Sequence, residues 1–315
     1  MKPRHLRSVA AAVCVALLLP AGAEAAFPGD NGRLLVGGKF GDTGTKLFTV
    51  RLDGSSRALP VEGIAPDVSA DGGWVAFAAR NETTHGLGIV RARLDGSRAV
   101  ALTDGKSIEP IADGELWGGP TWSPDGKKVL FLADNPDPRT IGGDLFLIRR
   151  DGSGLKRLTR TFASEVDAAW SPDGRTIAYI RCDVGPWCGP DSQLWLLTVG
   201  SSDEGRLVVS NANHPDWSPD GKRIVYECQR LPQNDQRKLC VYDLESGTAT
   251  IIYQRLAPAS NPVWSPNGRR IAVTISPPTE EDQDPEIYTM RPNGSDIRRI
   301  TNNRRNEILF DWIAR

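Results

Sequence analysis

The chain has 315 residues, 39% hydrophobic and 24% charged, values ordinary for a folded protein of one large or two average domains. Lys and Arg number 38 against 39 Asp and Glu, and a net charge of -1 excludes a global field that would draw the protein onto nucleic acid or an anionic membrane. With 32 glycines and 23 prolines, the sequence promises many tight turns.

In chain order, the first element is a leader rather than part of the fold. Lys2, Arg4 and Arg7 give a basic start, Ser8 to Leu19 is an apolar run ended by Pro20, and Ala21-Gly22-Ala23 and Ala23-Glu24-Ala25 are small-residue cleavage patterns. The run is too short to span a bilayer comfortably. Cys14 is a poor lipoprotein cysteine, because cutting before it would expose Val15 to Leu19. Residues 1–26 are therefore expected to be a cleaved signal peptide. The mature chain, 27–315, then keeps 35 basic and 38 acidic residues, carries no membrane span, and is expected to be soluble in the periplasm, the cell envelope or the extracellular space.

A repeat organises everything after the leader. Pro120-Thr121-Trp122-Ser-Pro-Asp-Gly126 returns as Ala168-Ala169-Trp170-Ser-Pro-Asp-Gly174, Pro215-Asp216-Trp217-Ser-Pro-Asp-Gly221 and Pro262-Val263-Trp264-Ser-Pro-Asn-Gly268. Pro66-Asp67-Val68-Ser-Ala-Asp-Gly72 lacks the Trp, and Asp30-Asn31-Gly32 keeps only the turn. The six turn glycines are spaced by 40, 54, 48, 47 and 47 residues, which suits a four-stranded propeller blade. Each turn is followed by a β-rich run, such as Val129-Leu130-Phe131 or Ile224-Val225-Tyr226, then a polar loop and a second run, such as Leu145-Phe146. A second turn follows, as at Asp95-Gly96, Asp151-Gly152 and Asn293-Gly294, pairs that tolerate positive φ and favour tight hairpins. Six copies of each feature predict an all-β, six-bladed propeller with four-stranded blades.

The ends predict how the ring closes. The first repeat lacks the strand before its turn, while Leu309 to Ile313 is a spare copy of the Trp-bearing strand. That segment is expected to supply the innermost strand of the blade begun by Leu34 and to remove an exposed edge. The blade register also bears on the four remaining cysteines. Cys228 ends one strand and Cys240 begins its hairpin partner, while Cys182 and Cys188 flank the corresponding loop one blade earlier, so disulfides Cys182–Cys188 and Cys228–Cys240 are expected. The spacings match no zinc site, and only His85 and His214 survive export.

The Trp-Ser-Pro-Asp-Gly turn followed by Ile-Ala-Tyr or Val-Leu-Phe resembles the repeat of the TolB-like β-propellers, a WD40-like (PD40) repeat, over residues 27–315. In that family the propeller appears as a periplasmic binding protein and as the non-catalytic lid of prolyl oligopeptidase-type peptidases. TolB proper carries an α/β domain before its propeller, and the peptidases an α/β-hydrolase domain after it. Here the first blade follows the leader directly and the sequence stops at Arg315. The resemblance thus implies a propeller-only, exported binding scaffold.

The residue three before each Trp position is the most informative column of the repeat: Ala65, Gly119, Asp167, His214, Asn261 and Leu309. Three successive blades place an acid, an imidazole and an amide near one mouth of the channel, and Glu165 and Asn213 are close enough in sequence to join them. The Trp series reads as packing between blades, and the Asp-Gly turns as turn geometry rather than calcium loops. Trp117, which departs from the repeat in the long 104–119 connection, is a candidate contact surface. No Gly-x-Ser-x-Gly elbow or phosphate-binding fingerprint occurs. The expected function is non-catalytic binding of a protein, peptide or cell-envelope component by a monomer without metal or cofactor. The competing class is a channel-mouth enzyme, a metal-assisted lyase or hydrolase using His214 and Asp167.

Overall fold

The computed structural model describes residues 30–39, 45–80, 87–103, 119–134, 143–182, 191–228, 238–255, 257–276, 284–303 and 306–314. The expected leader, Trp117 and Cys188 lie outside these residues. The described chain forms six four-stranded antiparallel sheets. Blades 2 to 6 are each built from consecutive strands, beginning with the inner strands Ile64–Val68, Thr121–Trp122, Ser164–Trp170, Ala212–Trp217 and Ala259–Trp264.

Blade 1 is closed as expected. Asn306–Ala314 is its inner strand and pairs with Asn31–Lys39, aligning Leu34 with Trp312 and Val36 with Leu309. The pairing satisfies an edge that would otherwise offer a row of free backbone groups.

The repeated turn has a simple local cause. In blade 5, Ser218 Oγ donates to Asp220 Oδ1 at 2.5 Å, Lys222 N donates to the same oxygen at 3.0 Å, and Gly221 N closes the turn on Ser218 O at 2.8 Å. Gly221 sits at φ +67°, a conformation that favours glycine. The carboxylate is thus occupied by its own turn. The threonines that end the Leu-Thr and Ile-Thr segments have an equally local function. Thr103, Thr159 and Thr301 accept the N–H groups of Ile89, Leu145 and Ile287 at 2.9–3.0 Å, tying the end of each repeat to its third strand.

The core runs between blades. Trp122 packs with Trp74, Ala76 and Ile89 of blade 2, Trp264 with Val225, Leu239 and Val241 of blade 5, and Trp312 with Ala272 and Ile287 of blade 6. Trp170 and Trp217 share one larger cluster spanning blades 3 to 5. All five indoles are at least 95% buried. Where blade 2 has Val68 instead, Phe77 and Leu35 complete the cluster. Cys228 and Cys240 form a disulfide across the hairpin register, with Cα atoms 5.8 Å apart. Cys182 is also disulfide-bonded, and its expected partner, Cys188, is outside the described residues.

Candidate functional site at the channel mouth

The inner strands surround a channel cavity of about 190 Å³. Ala65, Gly119, Asp167, His214, Asn261 and Leu309 all line it, so the aligned column of the repeat is brought together. Four of the six hold a backbone conformation that L-residues seldom adopt: φ is +47° at Ala65, +44° at Asp167, +46° at His214 and +51° at Asn261. Each lies in a bulge where the inner strand slips against its neighbour, between Ile64 and Asp67, Val166 and Ala169, Asn213 and Asp216, and Ser260 and Val263. Asp, Asn and His are enriched in this region of φ, so the backbone itself selects among side chains that also carry chemistry. Gly119 is required for another reason: a Cβ there would collide with the Ala65 carbonyl oxygen.

The bulges turn backbone N–H groups toward the preceding blade, which supplies acceptors. Asn261 N donates to Glu227 Oε1 at 2.9 Å, Leu309 N to Thr274 Oγ1 at 3.1 Å, and His214 N to Asp167 Oδ2 at 3.4 Å. These contacts place His214 between two carboxylates. Its Nε2 is 3.6 Å from Asp167 Oδ2, and its Nδ1 is 3.0 Å from Glu227 Oε1 without hydrogen-bond alignment to it. Burial raises the Asp167 carboxyl above the usual range, the His214 ring opposes that shift, and Glu227 adds to it. The Glu227 side chain is only 6% exposed, against 36% for His214, so the imidazole is the more accessible member.

A second tier lies two residues further along the inner strands. Asp67, Asp216 and Asp311, each immediately before a Trp position, also line the channel. Each accepts a backbone N–H from the next blade: Trp122 N at 2.6 Å, Trp264 N at 2.7 Å and Val68 N at 3.4 Å respectively. Burial pushes Asp216 up to about 7, with the Asp311 charge adding to it, and burial pushes Asp311 up to about 6. Asp67 is raised well above its ordinary value by burial and then by the charge of Asp311. Sequence reasoning missed this tier, although the Asp of Pro215-Asp216-Trp217 recurs in Pro66-Asp67-Val68 and Phe310-Asp311-Trp312.

Glu165 and Asn213 do not line the channel. Glu165 is buried and accepts Thr159 Oγ1 at 2.7 Å and Thr161 Oγ1 at 2.5 Å, joining the end of blade 3 to the inner strand of blade 4. Burial raises its carboxyl to about 7. Asn213 faces Glu227 in the strand register. Among the described residues, no group of three or more His, Cys, Asp or Glu is placed to hold a metal ion.

The geometry defines a class: a closed six-bladed propeller with a narrow, acid-lined channel. Its fold is that of the TolB-like propellers. TolB from Acinetobacter baumannii superposes with a TM-score of 0.71 at 20% identity, over 92% of this chain and 68% of that one. An oligogalacturonate lyase from Vibrio parahaemolyticus gives 0.59 at 16% identity, over 90% and 78%. In sequence, the chain is 33% identical over 123 residues to the uncharacterized protein Atu1656 of Agrobacterium fabrum, covering 37% of this chain and 39% of that protein. The chain thus spans about two fifths or less of the first curated relatives it matches. No family profile matches the sequence. Among the described residues no helix is long and apolar enough to cross a membrane.

Proposed function

We propose that the protein is an exported propeller scaffold that binds a protein or peptide partner at the channel mouth, gripping a cationic or hydrogen-bond-donating group. One observation carries this reading: Asp167 and His214 face the cavity from adjacent blades, and among the described residues its lining holds four aspartates and no Lys or Arg. A cavity of about 190 Å³ is smaller than the roughly 300 Å³ at which pockets begin to enclose drug-sized ligands. It suits an inserted side chain or a loop tip. The similarity in fold to TolB supports a binding role. The Cys228–Cys240 disulfide supports export, since such bonds persist in oxidising compartments. The reading needs neither metal nor cofactor, and it takes the mature chain as a monomer.

The test is capture from cell-envelope extract, with metal content assayed on the same sample. A stoichiometric partner held by the wild type and lost by Asp167→Asn/His214→Ala would support the scaffold. A tightly held metal with substrate turnover and no macromolecular partner would overturn it.

A second reading rests on His214 lying between Asp167 and Glu227, an arrangement able to relay a proton. Together with the similarity in fold to an oligogalacturonate lyase, it supports a channel-mouth lyase or hydrolase. Ultraviolet absorbance of an unsaturated product from oligogalacturonate, present with wild type and absent with His214→Ala, would favour it.

A further inference from the structure

Beyond the Trp positions, at the C-terminal ends of the inner strands, the two turns of each blade form a second surface. The turn residue is an aspartate at both turns of blade 2 (Asp71, Asp95) and of blade 3 (Asp125, Asp151). Around the junction of blades 6 and 1 it is an amide at both turns of blade 6, Asn267 and Asn293, beside Asn31 at the start of the Asn31–Lys39 strand. The amides do the turn's structural work without its charge. Asn267 Oδ1 accepts Ser265 Oγ and Arg269 N, both at 3.0 Å, and Asn293 Oδ1 accepts Ser295 Oγ at 2.7 Å. Among the described residues no hydrogen bond engages their Nδ2 groups.

These asparagines line an open cleft of about 670 Å³ together with Arg223, Arg269, Arg270 and Arg291. Local acids do not balance the guanidinium groups. Asp296 faces two of them, Arg270 at 2.8 Å and Arg291 at 3.7 Å, and also Arg298 at 2.8 Å, while Arg270 further donates to Thr289 Oγ1 at 3.1 Å and to Thr289 O at 3.3 Å. Hydrogen bonds from Arg270 and Arg298 hold the Asp296 carboxyl down to about 2. Asp220 faces Arg223 at 3.3 Å, and Asp30 is exposed beside Asn31. Arg269 is exposed and has no ion-pair partner among the described residues.

The equivalent cleft between blades 4 and 5 has the opposite character. It is lined by Asp173, Asp203 and Asp220 against the single Arg206. The two junctions therefore differ in the sign of the charge that lines them.

We infer that the cleft formed by Arg223, Arg269, Arg270, Arg291 and the three asparagines is a binding site for a phosphate-bearing ligand, separate from the channel mouth and independent of its function. Guanidinium forks match tetrahedral oxyanions with paired N–H donors, and amide Nδ2 groups add neutral donors. A monoanion in so open a cleft would gain little through solvent, so the fitting ligand carries two or more negative charges.

The experiment titrates inorganic pyrophosphate into the purified protein at low salt, and sediments the protein with phosphatidylcholine vesicles containing cardiolipin, whose headgroup carries two phosphates. Asn267→Asp/Asn293→Asp introduces the residue used at the first turns of blades 2 to 5 and the second turns of blades 1 to 3, so the turns are kept while two negative charges enter the cleft. Wild type is expected to bind, and this variant to weaken binding roughly tenfold or more. Lys127→Gln/Arg175→Gln makes the same change in net charge at the turns of blades 3 and 4, and is expected to alter binding by less than about twofold. Vesicle retention lost in the asparagine variant assigns a lipid headgroup, whereas pyrophosphate binding without vesicle retention assigns a free phosphorylated ligand. Failure of wild type to bind either probe, or equal weakening in both double variants, would overturn the inference.

Discussion

The two tiers of the channel are built from the same strands, yet they solve different problems. At the mouth, Asp167, His214 and Asn261 occupy strained bulges, differ from blade to blade, and keep surface on the cavity. Two residues deeper, the column reads Asp67, Thr121, Ala169, Asp216, Val263 and Asp311, and each of its three aspartates is hydrogen-bonded to the backbone of the following blade. Both tiers couple neighbouring blades, since Asp167 accepts His214 N as Asp311 accepts Val68 N, but the upper tier also presents an imidazole and a carboxamide to the cavity.

The largest expected effect lies just beyond the deeper tier. Trp217→Ala empties a packed site between blades 4 and 5 and is expected to cost about 3–5 kcal/mol in urea unfolding. Asp216→Ala leaves the Trp264 N–H without its acceptor and is expected to cost about 1–3 kcal/mol. If the tiers differ as described, His214→Ala changes stability by no more than about 1 kcal/mol while abolishing capture of the partner. A loss as large as that for Asp216→Ala would erase the distinction.

Titration sharpens the same contrast. Folded Asp216 and Asp311 bind protons more tightly than an ordinary aspartate at 3.8, at about 7 and about 6. Their contribution to stability is complete below 3.8 and is lost as pH rises through about 6 to 7. Stability is therefore expected to fall between about pH 4 and 7, by on the order of 1–2 kcal/mol because Asp216 retains some surface on the channel. Asp216→Asn should flatten part of that slope, with the remainder due to the other raised carboxyls, including Glu165. The turn aspartates such as Asp53 and Asp95 are lowered by hydrogen bonds from Ser55 and Ser97, and they act in a separate window, below the ordinary value. The smallest effect belongs to Ala65→Gly. It relieves an L-residue at φ +47° and is expected to raise stability by a few tenths to about 1 kcal/mol, leaving capture unchanged.

Much of this architecture was legible in the residues, because a blade advertises itself through local chemistry. The Ser-Pro-Asp-Gly turn, the second Asp-Gly turn and the spare Trp312 strand report backbone geometry at single positions. The mouth was legible for a related reason: equivalent positions in a repeat become neighbours around an axis. What escaped notice needed cross-strand register. Glu227 sits on a second strand and reaches His214 only because Asn213 pairs with Glu227. Glu165 was grouped with Asp167 by proximity, but the bulge between Val166 and Ala169 breaks the alternation of side chains, and Glu165 is directed to Thr159 and Thr161. Asp216 was hidden by its own repetition, since a carboxylate inside a recurring motif reads as part of the turn until its acceptor role toward the next blade is seen.

The pairing of Asn306–Ala314 with Asn31–Lys39 also sets a schedule for biosynthesis. Leu34 waits for Trp312, a partner made some 280 residues later, before its sheet is complete. Contacts of such long sequence separation form late, because the intervening chain must first be ordered. Blade 1 therefore emerges first and finishes last. Until the closing strand arrives, Asn31–Lys39 presents an unpaired edge for a chaperone to guard, and a nascent chain arrested before residue 306 is expected to be the most aggregation-prone intermediate of its folding.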